Sequence, residues 1–270
     1  MNYFDCHADT LTEIVKPGDS LDENSGDLDL RRAGDFVEKY TQIFAVWKDA
    51  EKLDREDPDR DFLRLYHRAM AYLEDENRKI ALCHNGAEME KAHRQGKAAA
   101  FLSIEDLSVM GKHIETAYEM GFRFAMPAWN YENKYACGAA FDQTKGLTSE
   151  GKEIVKTLTE QGIVIDVSHL SDQGVDDLFE ITDRPIMASH SDIREVWNMP
   201  RNIQKCHLAE LICRKGLIGM NFCAAFVGEK PQISDLLKHM DAVLEMGGED
   251  CLAIGGDFDG CNGHFPEGIN

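Results

Sequence analysis

Short apolar runs alternate with longer amphipathic segments along the chain. The apolar runs have the length of buried strands and lie at residues 3–6, 42–47, 98–104, 123–127, 163–167, 185–189, 217–222 and 251–255. The segments between them repeat apolar residues with a helical period, at residues 60–77, 86–95, 114–120, 148–161, 172–181, 208–215 and 234–246. Strands that alternate with helices form parallel sheets, so the pattern predicts an α/β fold of the (β/α)8 TIM barrel type.

The length of the chain fits one such barrel. A (β/α)8 barrel takes roughly 250 residues. The chain has 270 residues, so we predict a single barrel domain over residues 1–270, with residues 18–34 and 54–61 as connections inside it. Too few residues follow Gly260 for the final outer helix. We therefore expect a barrel that is short at its C-terminal end, and either the true chain continues or another subunit covers the gap.

Charge and cysteine content indicate which kind of partner the protein binds and where in the cell we expect it. Lys and Arg total 29 against 49 Asp and Glu, a formal net charge of −20, which repels nucleic acids and anionic membranes and favours a small-molecule substrate. The sequence shows neither a membrane-length apolar stretch nor a signal-peptide pattern. The 8 cysteines have no regular spacing, as is typical of reduced thiols, so we expect a cytoplasmic protein.

Potential metal ligands stand at the ends of the predicted strands. They are His7, Asp9, Glu105, His169 and His190, with Asp257 at the end of the last strand. His7 and Asp9 are two residues apart on an extended segment, so both side chains project to the same side. The C-terminal ends of the strands share one face of a barrel, where active sites are built. A single histidine at a strand end is most often structural, but this combination predicts a metal site.

The chemistry of these ligands favours a hydrolase. Imidazole nitrogens and carboxylate oxygens without thiolates suit zinc, with manganese, cobalt or iron as alternatives. Glu105, with its longer arm, is expected to bridge two ions held by the His-Asp pair and by the His-His pair. Two such ions can share and activate a water molecule and polarise a carbonyl group. We therefore expect attack on an amide or an ester.

Several motifs follow one another along nearly the whole chain. They are Asp-Cys-His-Ala-Asp-Thr at 5–10, Ile-Glu at 104–105, Gly-Leu-Thr-Ser-Glu-Gly-Lys at 146–152, Ile-Asp-Val-Ser-His at 165–169, Ala-Ser-His-Ser at 188–191, Pro-Arg-Asn at 200–202 and Gly-Gly-Asp-Phe-Asp-Gly at 255–260. His-x-Asp alone is a weak signal, whereas the later motifs together are specific. In this combination the chain resembles the membrane dipeptidase (renal dipeptidase) family of zinc peptidases, which are amidohydrolase-like barrels.

The resemblance implies two zinc ions per chain as cofactors. They would be held by His7 and Asp9 on one side and by His169 and His190 on the other, with Glu105 bridging them. It also implies a small peptide substrate and a homodimer.

The resemblance also implies roles in catalysis and in substrate binding. Asp257 matches the acid/base that accepts the proton of the bridging water and passes it to the leaving amine; it is favoured over Asp259 because it lies nearer the strand end. Glu105 shares the catalytic role through the metal bridge. Arg201 matches the arginine that clamps the substrate carboxylate with a planar fork.

The chain departs from the family pattern at three places. Trp129 stands where the family often has a histidine that contacts the oxyanion; its N–H could partly replace that contact, or the ring could only wall the pocket. With Trp129, Asn130 is predicted to contact the substrate. Asp106 follows Glu105 where a glycine is usual, and the C-terminal helix is missing.

These observations predict a dinuclear zinc dipeptidase that acts on dipeptides with a free C-terminal carboxylate through a metal-bridging hydroxide. Two alternatives stay open. One is another amidohydrolase, acting on acyl-amino acids, cyclic amides or lactones, which would use the same metals without needing Arg201. The other is a catalytically inactive metal-binding homologue, suggested by Trp129 and the short C-terminus.

Overall fold

The computed structural model describes residues 1–14, 19–52, 57–74 and 78–269. In these ranges the strands are β1 (Asn2–Ala8), β2 (Lys39–Trp47), β3 (Ile80–Leu82), β4 (Ala98–Glu105), β5 (Phe122–Met126), β6 (Val164–Ile165), β7 (Ile218–Asn221) and β8 (Leu252–Gly255). The α-helices are α1 (Thr10–Glu13), α2 (Leu30–Phe36), α3 (Pro58–Leu73), α4 (Gly86–Arg94), α5 (Ser149–Gln161), α6 (Asp172–Ile181), α7 (Lys205–Cys213), α8 (Ala224–Val227) and α9 (Ile233–Glu245). Shorter-pitched 3-10 helices cover Ala50–Lys52 and Leu107–Thr116.

The strands form one parallel sheet that curls toward a barrel. Among the described residues, its hydrogen-bonded order is β6-β5-β4-β2-β1-β8-β7. The chain around Met187 spans the gap between β6 and β7. The Val167 N–H donates to Met187 O at 2.8 Å, and the Ala188 N–H donates to Leu217 O at 2.9 Å. The predicted fold class, a parallel α/β barrel, is therefore confirmed.

The strand predicted at residues 185–189 is not a regular strand. It makes isolated bridges, which join Asp166 to Met187 and Ala188 to Ile218. The carbonyl oxygen of Ser189 lies directly against two glycines of the neighbouring strands. A Cβ atom at Gly219 would meet it at 1.9 Å, and one at Gly255 at 1.8 Å. The segment thus packs closely on the backbones of β7 and β8 instead of forming a ladder with them.

Other elements also differ from the predicted ones. β3 was not predicted; it pairs with the first half of β4, before β5 begins to pair with the second half. The helix predicted at 114–120 is instead the 3-10 helix Leu107–Thr116, which is kinked at Gly111, where φ is 54°. α2 begins inside the predicted loop at 18–34 and ends just after it, at Phe36. Of the predictions at 18–34, 54–61 and 60–77, residues 18, 54–56 and 75–77 lie outside the described residues. No helix follows β8 in residues 256–269.

Capping side chains fix where several helices begin. The side chains of Asp57, Asn85, Thr148 and Ser171 each accept a hydrogen bond from a backbone N–H in the first turn of α3, α4, α5 and α6, respectively. These bonds satisfy donors that have no partner within the helix, so the helices start at defined positions relative to the strands before them.

A small apolar cluster fills the interior of the barrel. It contains Cys6, Ile43, Phe101 and Met187, which come from different strand positions of the ring. Ile43 and Phe101 are register partners in β2 and β4. Because side chains alternate along a strand, they face the same side as Glu105 at the end of β4. The cluster therefore forms the apolar floor beneath the strand ends.

The close approach at Ser189 generates a stability prediction. Gly219→Ala is expected to lower the free energy of unfolding by about 3 kcal/mol, because the added methyl group overlaps a backbone oxygen that cannot move aside easily. Urea unfolding monitored by circular dichroism measures the change. Gly34→Ala in α2 is the matched control, since nothing lies within 4 Å of a Cβ there; it should be neutral or stabilising. Equal stability of the Gly219→Ala protein and the wild type would contradict the packing described above.

Candidate metal centre

An extra residue in β1 turns His7 toward the face of Glu105. From Asp5 to Ala8, β1 advances by three residues while its partner β2 advances by only two, from Gln42 to Phe44, so the pairing register shifts there. β2 and β4 remain in regular register up to Glu105. Without the extra residue, His7 would lie level with Phe44, whose side chain is on the opposite face of the sheet from Glu105. The bulge therefore delivers the imidazole to the mouth of the barrel.

Glu105 lies between two groups of predicted ligands. Its Oε2 atom is 3.1 Å from His7 Nε2, and its Oε1 atom is 3.2 Å from His169 Nε2. On the first side, His7 Nε2 is also 3.5 Å from Asp9 Oδ2. On the second side, His169 Nε2 is 2.9 Å from His190 Nε2. All five side chains are buried, and the structure brings this predicted set together at one point.

Neighbouring side chains orient the two histidines of the second group. The Oδ1 atom of Asn130 is 2.8 Å from His169 Nδ1, and the Oγ atom of Ser189 is 2.7 Å from His190 Nδ1. These bonds engage the Nδ1 atoms, so both Nε2 atoms can present lone pairs to the centre of the site. Asn130 therefore acts on His169 in this structure, a contact that the sequence did not reveal.

Two fully buried aspartates that the sequence analysis missed shape the strand ends. The Oδ1 atom of Asp5 accepts the His7 N–H at 2.9 Å. The Oδ1 atom of Asp166 accepts the Ser168 N–H at 2.9 Å and the Ser189 N–H at 3.0 Å. Each therefore fixes the backbone at, or just before, a histidine that is predicted to bind metal. The available signal was an acidic residue inside an otherwise apolar strand.

The pKa shifts of the histidines differ between the two sides of the site. Burial raises the pKa of Glu105 to about 7, and the negative charge of Asp9 adds to the shift. Burial opposes protonation of His7, but Glu105 and Asp9 raise its pKa well above the usual value. The pKa values of His169 and His190 are lowered well below the usual value, first by burial. Those two rings are thus neutral and able to act as ligands.

Unpartnered buried atoms indicate that the site is built for cations. His7 Nδ1 and Nε2, Asp9 Oδ1 and Glu105 Oε2 are buried without a hydrogen-bond partner. Leaving such atoms unsatisfied is costly, and a cation can accept a lone pair from each of the two carboxylate oxygens and from one nitrogen of a neutral imidazole, whose other nitrogen carries the proton. Among the described residues, three groups of side chains have ligand atoms close enough to hold an ion; they are His7-Asp9-Glu105, Glu105-His169-His190 and His7-His190-Asp257. The donors are nitrogens and oxygens, so the residues fit a transition-metal ion.

Asp257 lies at the edge of this cluster. Its Oδ1 atom is 3.9 Å from His7 Nε2, and its Oδ2 atom accepts a hydrogen bond from Asn221 Nδ2 at 3.1 Å. Burial raises its pKa to about 6, with the charges of His7 and Arg201 opposing the shift. Asp259 differs, because its oxygens accept bonds from Thr10 Oγ1 at 2.5 Å and from the Asp27 N–H at 2.6 Å.

A cavity of about 460 Å³ opens above the cluster. Its lining includes Trp129 and Asn130, whose predicted contact with substrate stays a prediction, and also Trp47 and Phe226, which the sequence did not indicate. Arg201 is not among the described residues that line it. The Arg201 guanidinium instead lies behind the ligands, with Nη1 donating to Ser191 Oγ at 2.9 Å and Nη2 donating to His190 O at 3.1 Å.

The fold and the site together define a class of protein. A parallel α/β barrel that gathers histidines and carboxylates at its strand ends is the architecture of a metal-dependent hydrolase. The family model for the membrane dipeptidases, peptidase family M19, matches residues 1–270. The chain belongs to this family, so the resemblance inferred from the motifs is confirmed, and the protein is a peptide-bond hydrolase of the metallo-dipeptidase class.

Relatives and solved structures agree with this membership. The chain is 27% identical over 197 residues to an uncharacterised protein in the pqqA 5′ region of Klebsiella pneumoniae, covering 67% of this chain and 73% of that protein. It is 26% identical over 194 residues to the dipeptidase tcpJ of Claviceps purpurea, covering 69% of this chain and 46% of that protein. Only part of each relative's length is therefore matched.

Two crystal structures share the fold. One is described as the dipeptidase AC, a metallopeptidase of family M19, with a TM-score of 0.88, 23% identity and coverage of 99% of this chain and 87% of that chain. The other is a metallopeptidase from Rhodobacter sphaeroides bound to a phosphinate mimic of the dipeptide L-Ala-D-Ala, with a TM-score of 0.86, 22% identity and coverage of 99% of this chain and 88% of that chain.

Within the described part of this chain, the helices lack the length and apolar character of a membrane span.

The unpartnered ligand atoms generate a prediction about metal removal. Adding zinc to chelator-treated protein should raise the melting temperature, because an ion that binds only the folded state stabilises it, by about 2.7 kcal/mol at a concentration 100 times the dissociation constant. Differential scanning fluorimetry measures the shift. Glu105→Gln should show a much smaller shift, since this carboxylate belongs to two of the three candidate groups. A Gln variant that responds as strongly as the wild type would argue against this cluster as the site.

Proposed function

We propose that this protein is a dinuclear zinc dipeptidase that hydrolyses dipeptides with a free C-terminal carboxylate. The observation that carries the proposal is the position of Glu105, whose two oxygens lie 3.1 Å from His7 Nε2 and 3.2 Å from His169 Nε2. A buried carboxylate that faces two separate imidazoles could contribute one oxygen to a cation on each side, which supports the proposal of two ions. The family membership supplies the class of reaction.

The proposed ligand sets share Glu105. One ion would be held by His7, Asp9 and Glu105, and the other by Glu105 together with the two neutral histidines. Zinc is the commonest ion for such nitrogen and oxygen donors. When bound, the two ions supply a water molecule of lowered pKa and polarise the scissile carbonyl. The protein supports this by keeping His169 and His190 unprotonated through burial.

Asp257 is the proposed acid/base. Its carboxylate borders the ligands, 3.9 Å from His7 Nε2, and Asn221 holds the oxygen on the other side. A pKa of about 6 suits a group that must accept a proton and then release it near neutral pH. It would accept a proton from the water molecule that attacks the carbonyl. It would then donate this proton to the leaving amine as the bond between the amine and the acyl carbon breaks.

The cavity favours a short substrate. Its volume of about 460 Å³ is within the range of small-molecule sites. Trp129 and Asn130 are proposed to contact the substrate at its wall. The phosphinate mimic of L-Ala-D-Ala is the ligand of the Rhodobacter sphaeroides neighbour, and we extend the proposal to dipeptides with a D-residue on the carboxyl side.

Arg201 is proposed to bind the substrate carboxylate. It is only 8% exposed, and its Nε atom is buried without a partner. Its guanidinium carbon lies 5.6 Å from the centre of the Phe226 ring, which lines the cavity. A buried guanidinium with an unused N–H is a donor for a carboxylate.

A second candidate function is hydrolysis of acyl-amino acids, cyclic amides or lactones by the same metals. The position of Arg201 favours it, because both Nη atoms already donate to Ser191 and His190. Cyclic amides and lactones do not all carry a carboxylate for Arg201 to bind. The first candidate function therefore needs the Arg201 side chain, whereas the second does not.

We further propose a cytoplasmic location, supported by the cysteines at 6, 83, 137, 206, 213, 223, 251 and 261, which are all free thiols. A single domain over residues 1–270 and a homodimer remain predictions.

Replacing Arg201 distinguishes the two candidates. For Arg201→Ala we expect kcat/KM for a dipeptide to fall about 10- to 100-fold, the equivalent of losing a charge-assisted hydrogen bond of about 1.5–3 kcal/mol. The C-terminal amide of the same dipeptide is the matched control substrate, and its slow hydrolysis should be unchanged. Steady-state kinetics with both substrates measures the effect. Unchanged kcat/KM for both substrates would favour the second candidate, and an equal loss for both would indicate a structural role of Arg201.

Replacing Asp257 tests the proton transfer. Asp257→Asn is expected to lower kcat about 10²- to 10⁴-fold, the usual contribution of a general acid/base, with zinc content unchanged by elemental analysis. Asp259→Asn is the control, because that carboxylate is engaged by Thr10 and Asp27. If Asp259→Asn abolished turnover while Asp257→Asn retained it, the assignment would be wrong.

A further inference from the structure

Asp106 has a strained backbone directly after the proposed bridging residue Glu105. Its φ is 77° and its ψ is 102°. A side chain at such a positive φ is unfavourable, and residues of this kind persist where the surroundings hold them in place. The residue is only 6% exposed, so its carboxylate needs partners inside the protein.

Those partners are four donors, two of them on the next loop. The Oδ1 atom accepts the Ser108 N–H at 2.8 Å, Ser108 Oγ at 2.6 Å and Asn133 Nδ2 at 2.7 Å. The Oδ2 atom accepts the Trp129 N–H at 3.3 Å. The carboxylate therefore ties the end of β4 to the chain that follows β5. We call residues 127–139 the β5 loop.

The β5 loop reaches from Asp106 to His169. Asn133 tightens its first part by donating to Pro127 O at 2.9 Å, while its own Oδ1 accepts the Tyr135 N–H at 2.7 Å. At its far end, the Ala139 N–H donates to His169 O at 2.7 Å. His169 itself has a φ of 69°, so this backbone bond holds a second strained residue.

Asn130 is the side chain through which the loop acts on the site. Its Oδ1 atom is 2.8 Å from His169 Nδ1. An Nδ1–H that donates to Asn130 leaves the Nε2 lone pair free, 3.2 Å from Glu105 Oε1. The path thus runs from Asp106 through the β5 loop to the ring of His169.

We propose that Asp106 is a positioning residue for the His169 half of the metal centre. Its carboxylate fixes the β5 loop so that Asn130 sets the tautomer and orientation of His169, while the same residue fixes the strand end that carries Glu105. The inference rests on the proposed dinuclear function and assigns Asp106 no contact with substrate.

Asp106→Asn is the test, because both oxygens accept from the β5 loop. Whichever way the amide is turned, its NH2 group faces either Trp129 N or Asn133 Nδ2, and one loop bond is lost. Zinc competition with a chromophoric chelator should show one site, the one that includes His169, weakened about 10- to 100-fold, the usual cost of losing such outer contacts. The other site shares Glu105, but its remaining proposed ligands, His7 and Asp9, lie outside the β5 loop, so its affinity should fall less.

A second readout does not depend on metal. In ¹⁵N-histidine-labelled, metal-free protein, long-range ¹⁵N–¹H correlation should show the Nδ1–H tautomer of His169 in the wild type and a tautomer mixture in Asp106→Asn. Asp142→Asn is the matched control, since Asp142 makes the same local bonds to Thr144, at 2.9 and 2.7 Å, outside the β5 loop. It should match the wild type in both readouts.

The outcomes separate this inference from the proposed function. A wild type that binds a single zinc ion would defeat the dinuclear proposal, and the tautomer readout would still decide the role of Asp106. Wild-type affinities and tautomer in Asp106→Asn, even with a lower melting temperature, would overturn the inference. Should that variant not fold, Asn133→Asp, which removes the Nδ2 donor to Asp106 and keeps the oxygen that accepts the Tyr135 N–H, decides in the same way.

Discussion

Negative charge confined in a small buried space is the constraint on which this site depends. Asp9, Glu105 and Asp257 each have an oxygen within 3.9 Å of the one nitrogen His7 Nε2. Burial raises the pKa values of Glu105 and Asp257 to about 7 and about 6, because carboxylates without enough positive charge around them hold protons more tightly. A divalent cation removes this conflict directly. Family membership and the unpartnered ligand atoms therefore point to the same requirement.

Bringing ligands from different strands to one point also imposes a cost on the backbone. Three residues that follow strand ends have positive φ values; they are Asp106 at 77°, His169 at 69° and Asp257 at 56°. Each is an L-residue in the left-handed region, which is costly unless other contacts hold it. Here hydrogen bonds do so, from Ser108 to Asp106 and from Asn221 to Asp257. The extra residue of β1 serves the same end by a different route, since it rotates His7 without a left-handed residue.

The shared C-terminal face of a barrel was sufficient to predict from the sequence that His7, Glu105 and His169 lie close together. The orientation of His7 was not predictable, because alternation along a regular strand would turn it away from Glu105 and only the extra residue of β1 brings it to that face. The contacts of Arg201 were not predictable, because they depend on how the chain after His190 folds back on Ser191. The segment at 185–189 has a strand-like composition, yet its packing on Gly219 and Gly255 is a tertiary effect that local propensity cannot express.

Hydrogen bonds distinguish the buried aspartate that holds the backbone, Asp5, from the one that is proposed to bind an ion, Asp9. Asp5 and Asp9 are four residues apart in the same strand-end motif. The oxygens of Asp5 accept the His7 N–H at 2.9 Å, the Gly256 N–H at 3.1 Å and the Tyr3 hydroxyl at 3.1 Å. Asp9 Oδ1 is buried with no partner. A carboxylate already satisfied by donors has little to offer a cation, whereas one left unsatisfied needs it. The motif thus contains one aspartate that holds the strand end and a second, Asp9, that is proposed to bind metal.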